Sequence, residues 1–321
     1  MQPQPTTRGG RGTAASAALA LLAVVSLTGL AGCATGRAQA PAGSRLNVVA
    51  AESSWGSIAA QLGGDKVTVT SLIDNPATDP HDYEPTAADA RAVATATVMV
   101  INGVGYDGWA AKLLAANPSS TRQLVDVGAV VGAGADANPH RWYNPADVHR
   151  VVDSITAALT KADPADAAYF AAQHDTFNTT GLARYDRLVA QIKSNYAGTP
   201  VGASESIFAM LAPALGLNLV TPQRFLRAIS EGSDPTAADK VRIDNQIKHH
   251  EIKVYVYNSQ NATPDVQAQL VEARAAGIPI VSITETLTPA TASFQQWQAD
   301  QLQALDDALA KTAPATASEE S

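Results

Sequence analysis

The 321-residue chain holds one cysteine, Cys33. A lone thiol excludes a disulfide within the chain and leaves no thiolate metal site. Beyond residue 32 no stretch reaches the roughly eighteen apolar residues that a membrane span needs. Positive charge is also scarce, with 22 basic residues against 30 acidic ones. Without Arg8 and Arg11 the balance is 20 against 30, a net charge of −10. That balance speaks against a nucleic-acid partner and is compatible with cations.

Residues 1–32 read as an export signal that stands apart from the fold. Arg8 and Arg11 form a positive start, and Ala14 to Leu30 is an apolar, alanine-rich run. It ends in Leu30-Ala31-Gly32-Cys33, which resembles the lipobox of bacterial lipoproteins. The resemblance implies cleavage before Cys33, a lipid anchor on its sulfur, and a chain held on the extracytoplasmic side of the cell membrane. The plainer alternative is an ordinary export signal with a chance cysteine. Acyl chains contribute ~0.8 kcal/mol per buried methylene, so two or more make a stable anchor. Residues 33–44 read as a flexible tether and 312–321 as a disordered tail. The stretch from 33 to 321 is long enough for two domains of ordinary size.

From Leu46 onward, short β-branched runs alternate with helical stretches. Strands are expected at Leu46–Ala51, Lys66–Leu72, Thr97–Ile101 and Gln123–Val127. Helices are expected at Ser54–Leu62, Ala87–Ala94, Tyr106–Ala116 and Ala146–Lys161. This alternation predicts an α/β lobe over 45–162, a parallel sheet with helices on both faces. Asp163-Pro164 then pairs an N-cap with proline at the first helical position. From there to about Asn195 nothing breaks a helix strongly, although Gly181 is a weak point. Phe170, Phe177, Tyr185, Leu188 and Ile192 recur at helical spacing. A helix over 163–197 would be a rod of roughly 45 Å, a stiff connector that predicts little hinge motion.

A second alternation occupies 198–311. Strands are expected at Val201–Ala203, Leu217–Val220, Lys253–Tyr257 and Ile280–Ile283. Helices are expected at Ile207–Leu215, Ala237–His250, Pro264–Ala276 and Ala290–Lys311. The fold class is therefore α/β, two lobes joined by one long helix. The halves share an architecture without a close sequence repeat.

Two loops stand out. Asp79-Pro80-His81-Asp82-Tyr83-Glu84-Pro85 follows the second strand, and Asn138-Pro139-His140-Arg141-Trp142-Tyr143-Asn144-Pro145 echoes it about sixty residues on. In both, a polar residue and a proline fix the approach to a histidine, and a second proline opens the next helix. Sheets of this kind bind ligands beyond the carboxyl ends of their strands, where both histidines fall. Two preorganised imidazoles look like half of a metal site.

Other motifs carry less. Asn102 to Trp109 contains a formal G-x-G-x-x-G with Asp126 further on, but it lies in the third βα unit, and Asp107 would face a pyrophosphate. A structural glycine turn is the better reading. Gly202-Ala203-Ser204-Glu205-Ser206 misses the nucleophile elbow, with serine for the last glycine and no base beside it. On pattern alone, Glu205 reads equally well as a first-turn acid favoured by the helix dipole and as a ligand at a strand end. Glu285, after the last strand, has the same two readings. His249 and His250 close a helix, where positive charge suits the carbonyl end. His149 and His174 lie within helices and read as surface or packing residues.

The lipobox, the two histidine loops, the glycine turn and Ile229-Ser230-Glu231-Gly232-Ser233-Asp234-Pro235 together resemble the zinc- and manganese-specific solute-binding lipoproteins of bacterial ABC importers. The resemblance covers nearly the whole chain after the signal. It implies two lobes joined by a long helix, with metal held in the cleft and passed to a membrane permease and its ATPase. Carried over, the metal ligands are His81, His140, Glu205 and Glu285. The last is usually aspartate in the family, and Asn258 stands where glutamate is frequent. A His-rich loop between the two histidines is lacking.

The chemistry agrees. Two imidazoles and two carboxylates satisfy a tetrahedral zinc, and bidentate carboxylates raise the coordination number for manganese. Four protein ligands leave no open position for a substrate water, so the expectation is a carrier and not an enzyme. The alternative is an extracytoplasmic metallohydrolase using His81, His140 and a carboxylate, with Asp82 or Glu84 as base.

Overall fold

The computed structural model describes residues 45–76, 78 and 83–312. Cys33, Asp79, His81, Asp82, residues 1–32 and nearly all of the expected tether and tail lie outside the described residues.

The first lobe starts with β1 (Leu46–Glu52), α1 (Ser53–Gly63), β2 (Val67–Ile73), α2 (Ala87–Thr95) and β3 (Val98–Ile101). It continues with α3 (Gly108–Ala116), β4 (Gln123–Asp126), α4 (Val127–Val131) and α5 (Pro145–Ala162). Its sheet is parallel, in the order β2-β1-β3-β4. Val48, Val49, Ala50 and Ala51 are all fully buried, because helices cover both faces of the central strand β1. The amphipathic face of α5 supplies one cover through Val148, Val151, Val152, Ile155 and Leu159. Asn144 sets its start: its side-chain oxygen accepts from the amides of Ala146 (3.0 Å) and Asp147 (3.3 Å), and Pro145 occupies the first turn.

The second lobe repeats the topology. It contains β5 (Pro200–Ala203), α8 (Ile207–Leu211), β6 (Asn218–Leu219), α9 (Gln223–Ser230) and α10 (Ala237–Lys248), then β7 (Val254–Asn258), α11 (Pro264–Ala275), β8 (Ile280–Ile283) and α12 (Phe294–Ala310). The parallel order is β6-β5-β7-β8. In both lobes the chain steps back across its first strand, so each sheet has a crevice at its carboxyl edge.

All eight expected strands are present within two residues of the sequence reading. Among the helices, α4 was not expected, α8 stops at Leu211 where the sequence predicts Leu215, and two further details differ. The helix α9 was not expected, though Phe225, Leu226 and Ile229 bury one side of it. The last helix starts at Phe294 instead of Ala290, where Ser293 caps it by accepting from the Gln296 amide at 3.3 Å.

Between the lobes, Asp163 caps a short 3₁₀ turn at Pro164–Asp166, and α6 (Ala167–Thr176) follows. The rod continues to α7 (Ala183–Tyr196), but through a π-helical turn at Phe177–Gly181. There the Leu182 amide reaches back to the Phe177 carbonyl at 2.8 Å. The spacing of buried aromatics explains the turn. Phe170 to Phe177 is seven residues, two α-turns, whereas Phe177 to Tyr185 is eight. The π turn absorbs the extra residue, and all three rings stay buried. The helix α7 lies along α12, with the rings of Tyr185 and Phe294 at 6.3 Å and Gln191 donating to Asp306 at 2.8 Å.

Contacts also join the lobes directly. The Tyr143 hydroxyl donates toward the Thr284 carbonyl at 2.8 Å, and the Tyr143 ring packs edge-on against Trp297 at 5.8 Å. Among the described residues, no helix is long and apolar enough to cross a membrane.

Candidate metal centre

The carboxyl edges of the two sheets face a common cleft. His140 enters it from the loop before α5, and its side chain is fully buried. Its Nδ1 lies 2.9 Å from Asn138 Oδ1, which also accepts from the His140 amide at 3.1 Å. Asn138 cannot turn over, because its amide nitrogen donates to the Ser206 carbonyl of the second lobe at 2.6 Å. The asparagine oxygen therefore selects the tautomer with hydrogen on Nδ1, which leaves Nε2 as the ligating nitrogen. Asn102 donates to the Pro139 carbonyl at 2.8 Å, and Trp55 donates to Asn102 Oδ1 at 3.2 Å. Rings of Tyr106 and Trp142 flank the imidazole edge-on at 5.8 and 5.5 Å.

Asn102 to Trp109 is a structural turn, as expected. Asp107 closes it by accepting from the amides of Asn102 (2.7 Å) and Gly103 (2.8 Å). Gly103, Val104 and Gly105 run through it at positive φ (68°, 54° and 77°), which points Tyr106 into the cleft. Burial raises the Asp107 carboxyl above its ordinary range. Glu52, buried beside it, is pushed well up by burial first and then by Asp107.

The second lobe supplies the acids. Glu205 follows β5 and Glu285 follows β8; they are 1% and 4% exposed. Glu205 Oε1 lies 3.7 Å from His140 Nε2, and Glu285 Oε2 lies 4.0 Å from it. Among the described residues, His140, Glu205 and Glu285 form the group whose ligating atoms all fall within 4.8 Å of one another. Donors around a tetrahedral zinc stand about 3.3 Å apart at bonds of about 2.0 Å, so the pairs with His140 close by less than about 1 Å. Burial, then the neighbouring Glu285, pushes the Glu205 carboxyl up to about 8. Glu205 Oε1 accepts no hydrogen bond among the described residues. Two carboxylates so close and so dry call for a cation.

Asn258, the last residue of β7, sits between the acids. Its Nδ2 donates to Glu205 Oε2 at 2.8 Å and to Glu285 Oε1 at 2.7 Å. The Tyr106 hydroxyl donates to Glu285 Oε2 at 2.8 Å. Burial first, then Glu285, raises the Tyr106 phenol well above its ordinary range. Gln260 steadies the loop, accepting from the amides of Glu285 (2.5 Å) and Thr286 (3.0 Å) and donating to the Pro76 carbonyl of the first lobe.

The structure thus brings together three of the four expected ligands, and His81 lies outside the described residues. The sequence placed Asn138 only in the approach to His140, and it gave no role to Tyr106 or Gln260. The polar residue two positions before His140 was the available sign for Asn138. His249 and His250 are exposed at the end of α10, away from the cluster. His174 pairs with Asp153 at 2.7 Å on the helical surface, a structural role. The Ser204 hydroxyl accepts from the Asn258 amide at 3.1 Å, and the Ser206 hydroxyl pairs with Ser230 at 2.6 Å and lies 3.5 Å from His140 Nδ1, the ring nitrogen that Asn138 engages more closely at 2.9 Å.

The family model described as ZnuA, zinc-uptake complex component A periplasmic, matches residues 48–308. The chain is 27% identical over 140 residues to the manganese-binding lipoprotein MntA of Halalkalibacterium halodurans, covering 42% of this chain and 46% of that protein. It is 24% identical over 303 residues to the zinc-binding lipoprotein AdcA of Streptococcus pneumoniae, covering 86% of this chain and 58% of that one. The alignments thus span about half the length of these curated relatives. A solved structure of the Mn-bound periplasmic metal binding protein from Candidatus Liberibacter asiaticus superposes with a TM-score of 0.69. It is 21% identical and covers 83% of this chain and 100% of its own, a likeness that shows the fold.

Proposed function

Because the chain belongs to the family of periplasmic zinc-uptake component A, we propose that it is the extracytoplasmic metal-binding component of an ABC importer. It captures a divalent transition metal, zinc or manganese, between its lobes and delivers it to a membrane permease driven by an ATPase. One observation carries the reading: a buried imidazole and two buried carboxylates from opposite lobes converge within 4.8 Å. The proposed ligands are His140, Glu205 and Glu285, with His81 as the fourth on the strength of the family resemblance. The metal is cargo, and the protein works as a carrier and not as an enzyme. The hydrolase alternative needs Asp82 or Glu84 as base; Glu84 is exposed, and nothing in the family description supports hydrolysis. The anchor is lipid on Cys33, in line with the lipoprotein relatives.

The decisive experiment measures the metal content of protein purified without added metal, followed by titration with zinc and with manganese. Stoichiometric binding of about one ion, lost in His140→Ala, supports the reading; absence of binding to either metal sinks it. For the anchor, Cys33→Ala moves the protein to the soluble fraction with unchanged metal affinity, and a variant still membrane-bound removes the lipoprotein assignment.

A further inference from the structure

Asn258 occupies a position that decides how many oxygens the two carboxylates offer. Both hydrogens of its side-chain amide are committed, one to Glu205 Oε2 (2.8 Å) and one to Glu285 Oε1 (2.7 Å). The amide cannot flip, because Asn258 Oδ1 accepts from the Gln260 backbone at 3.0 Å. Its own backbone amide is tied to the Ser204 hydroxyl at 3.1 Å. The residue is fully buried, so no water replaces those bonds if they break. Each carboxylate therefore turns one oxygen to Asn258 and one to His140: Glu205 Oε1 at 3.7 Å and Glu285 Oε2 at 4.0 Å from Nε2.

From this geometry we infer that Asn258 is the specificity-determining residue of the site, holding both acids to one metal bond each so that a four-coordinate ion such as zinc is favoured over manganese. The inference rests on the metal-carrier reading above and goes beyond it by choosing between its two metals. A carboxylate that binds through both oxygens raises the coordination number, which suits manganese and adds nothing for a tetrahedral zinc. To bind in that mode here, Glu205 or Glu285 must rotate until both oxygens face the ion, which carries the oxygen now held at Asn258 away from its buried donor. The Tyr106 hydroxyl on Glu285 Oε2 does not block that oxygen, which keeps a second lone pair for metal. Selectivity thus comes from a neutral side chain that touches no metal. Zinc is already the tighter binder at a generic site of these donors, so the readout must be a change in ratio.

The test titrates the full chain with zinc alone and manganese alone in the wild type, Asn258→Ala and Asn258→Leu. Leucine keeps the volume and removes the amide; alanine removes both. The zinc-to-manganese affinity ratio is expected to fall about tenfold or more in both variants. An unchanged ratio in both overturns the inference, and a fall in Asn258→Ala alone overturns it by assigning selectivity to volume. X-ray absorption of the metal-loaded wild type is independent of whether the variants fold. Four-coordinate zinc with singly bound carboxylates supports the inference, and a carboxylate bound through both oxygens overturns it. Wild-type protein that binds neither metal defeats the carrier reading itself, an outcome distinct from binding with an unaltered ratio.

Discussion

The Tyr106 hydroxyl donates a 2.8 Å hydrogen bond to Glu285 Oε2, from a turn of the first lobe to a loop of the second. It is a bond from one lobe to a proposed ligand on the other. Hydrogen bonds to charged groups contribute about 1.5–3 kcal/mol. Tyr106→Phe should therefore weaken zinc binding by roughly tenfold or more, with the fold intact, because the ring still packs against Trp142 at 5.0 Å. Calorimetric titration checks it, and wild-type affinity in the variant would show that the bond does not support the site.

Removal of a ligand has a larger effect. His140→Ala, Glu205→Ala and Glu285→Ala should each lower metal affinity by orders of magnitude, because the remaining buried donors are left poorly satisfied. His249→Ala and His250→Ala should bind as the wild type does, since both residues are exposed at the end of α10. Parallel titrations decide, and a loss confined to the two exposed histidines would move the site.

The pH dependence has a definite sign. Glu205 titrates at about 8 in the folded metal-free protein, against about 4.3 in an unfolded chain. Between those values the folded state holds the extra proton, so metal-free stability falls as pH rises through the window. Glu52 and Asp107, both raised, act in the same direction. Metal needs the ionised carboxylate, so binding strengthens as pH rises and expels a proton. Thermal melts at pH 5 and pH 8 should show the metal-free protein less stable at pH 8 and the zinc-induced shift larger there. A metal-free melting temperature that climbs between pH 6 and pH 8 would contradict the assignment.

Gly103 offers a stability test away from the ligands. Its φ is 68°, and an added Cβ would lie 2.6 Å from Asp126 Oδ1. Gly103→Ala should cost roughly 1–3 kcal/mol through backbone strain and the contact. Denaturant unfolding of the metal-free protein measures it, and an unchanged midpoint would show that the turn relaxes freely.

The strands were legible because β-branched runs such as Val98–Ile101 are short, apolar and bounded by turn residues. His140 was legible because the prolines on either side of it mark a stiff loop. Glu205 was only half legible: an acid after a strand looks the same whether it caps a helix or holds an ion. Its partners come from distant sequence, and Asn258, 53 residues away, leaves no local pattern. The helix α9 was missed because its apolar side is three residues in an eight-residue element, too short for periodicity to register. The π turn was hidden for the opposite reason: in a long helix, spacings of seven and eight both pass as helical.

That turn gives the rod one residue of slack. Each residue of an α-helix turns the side-chain direction by about 100°. Deletion of one residue before Phe177 or after Leu182 would rotate one set of anchors, Phe170 or Leu188 and Ile192, off the surface it packs on. Within Phe177–Gly181 the same deletion lets the turn heal into ordinary α geometry, with Phe177 and Tyr185 two turns apart and every anchor still in phase. Thr179 and Thr180 are exposed there. The connector is therefore a shaft with a single joint in its numbering, where chain length can change without the lobes losing their alignment.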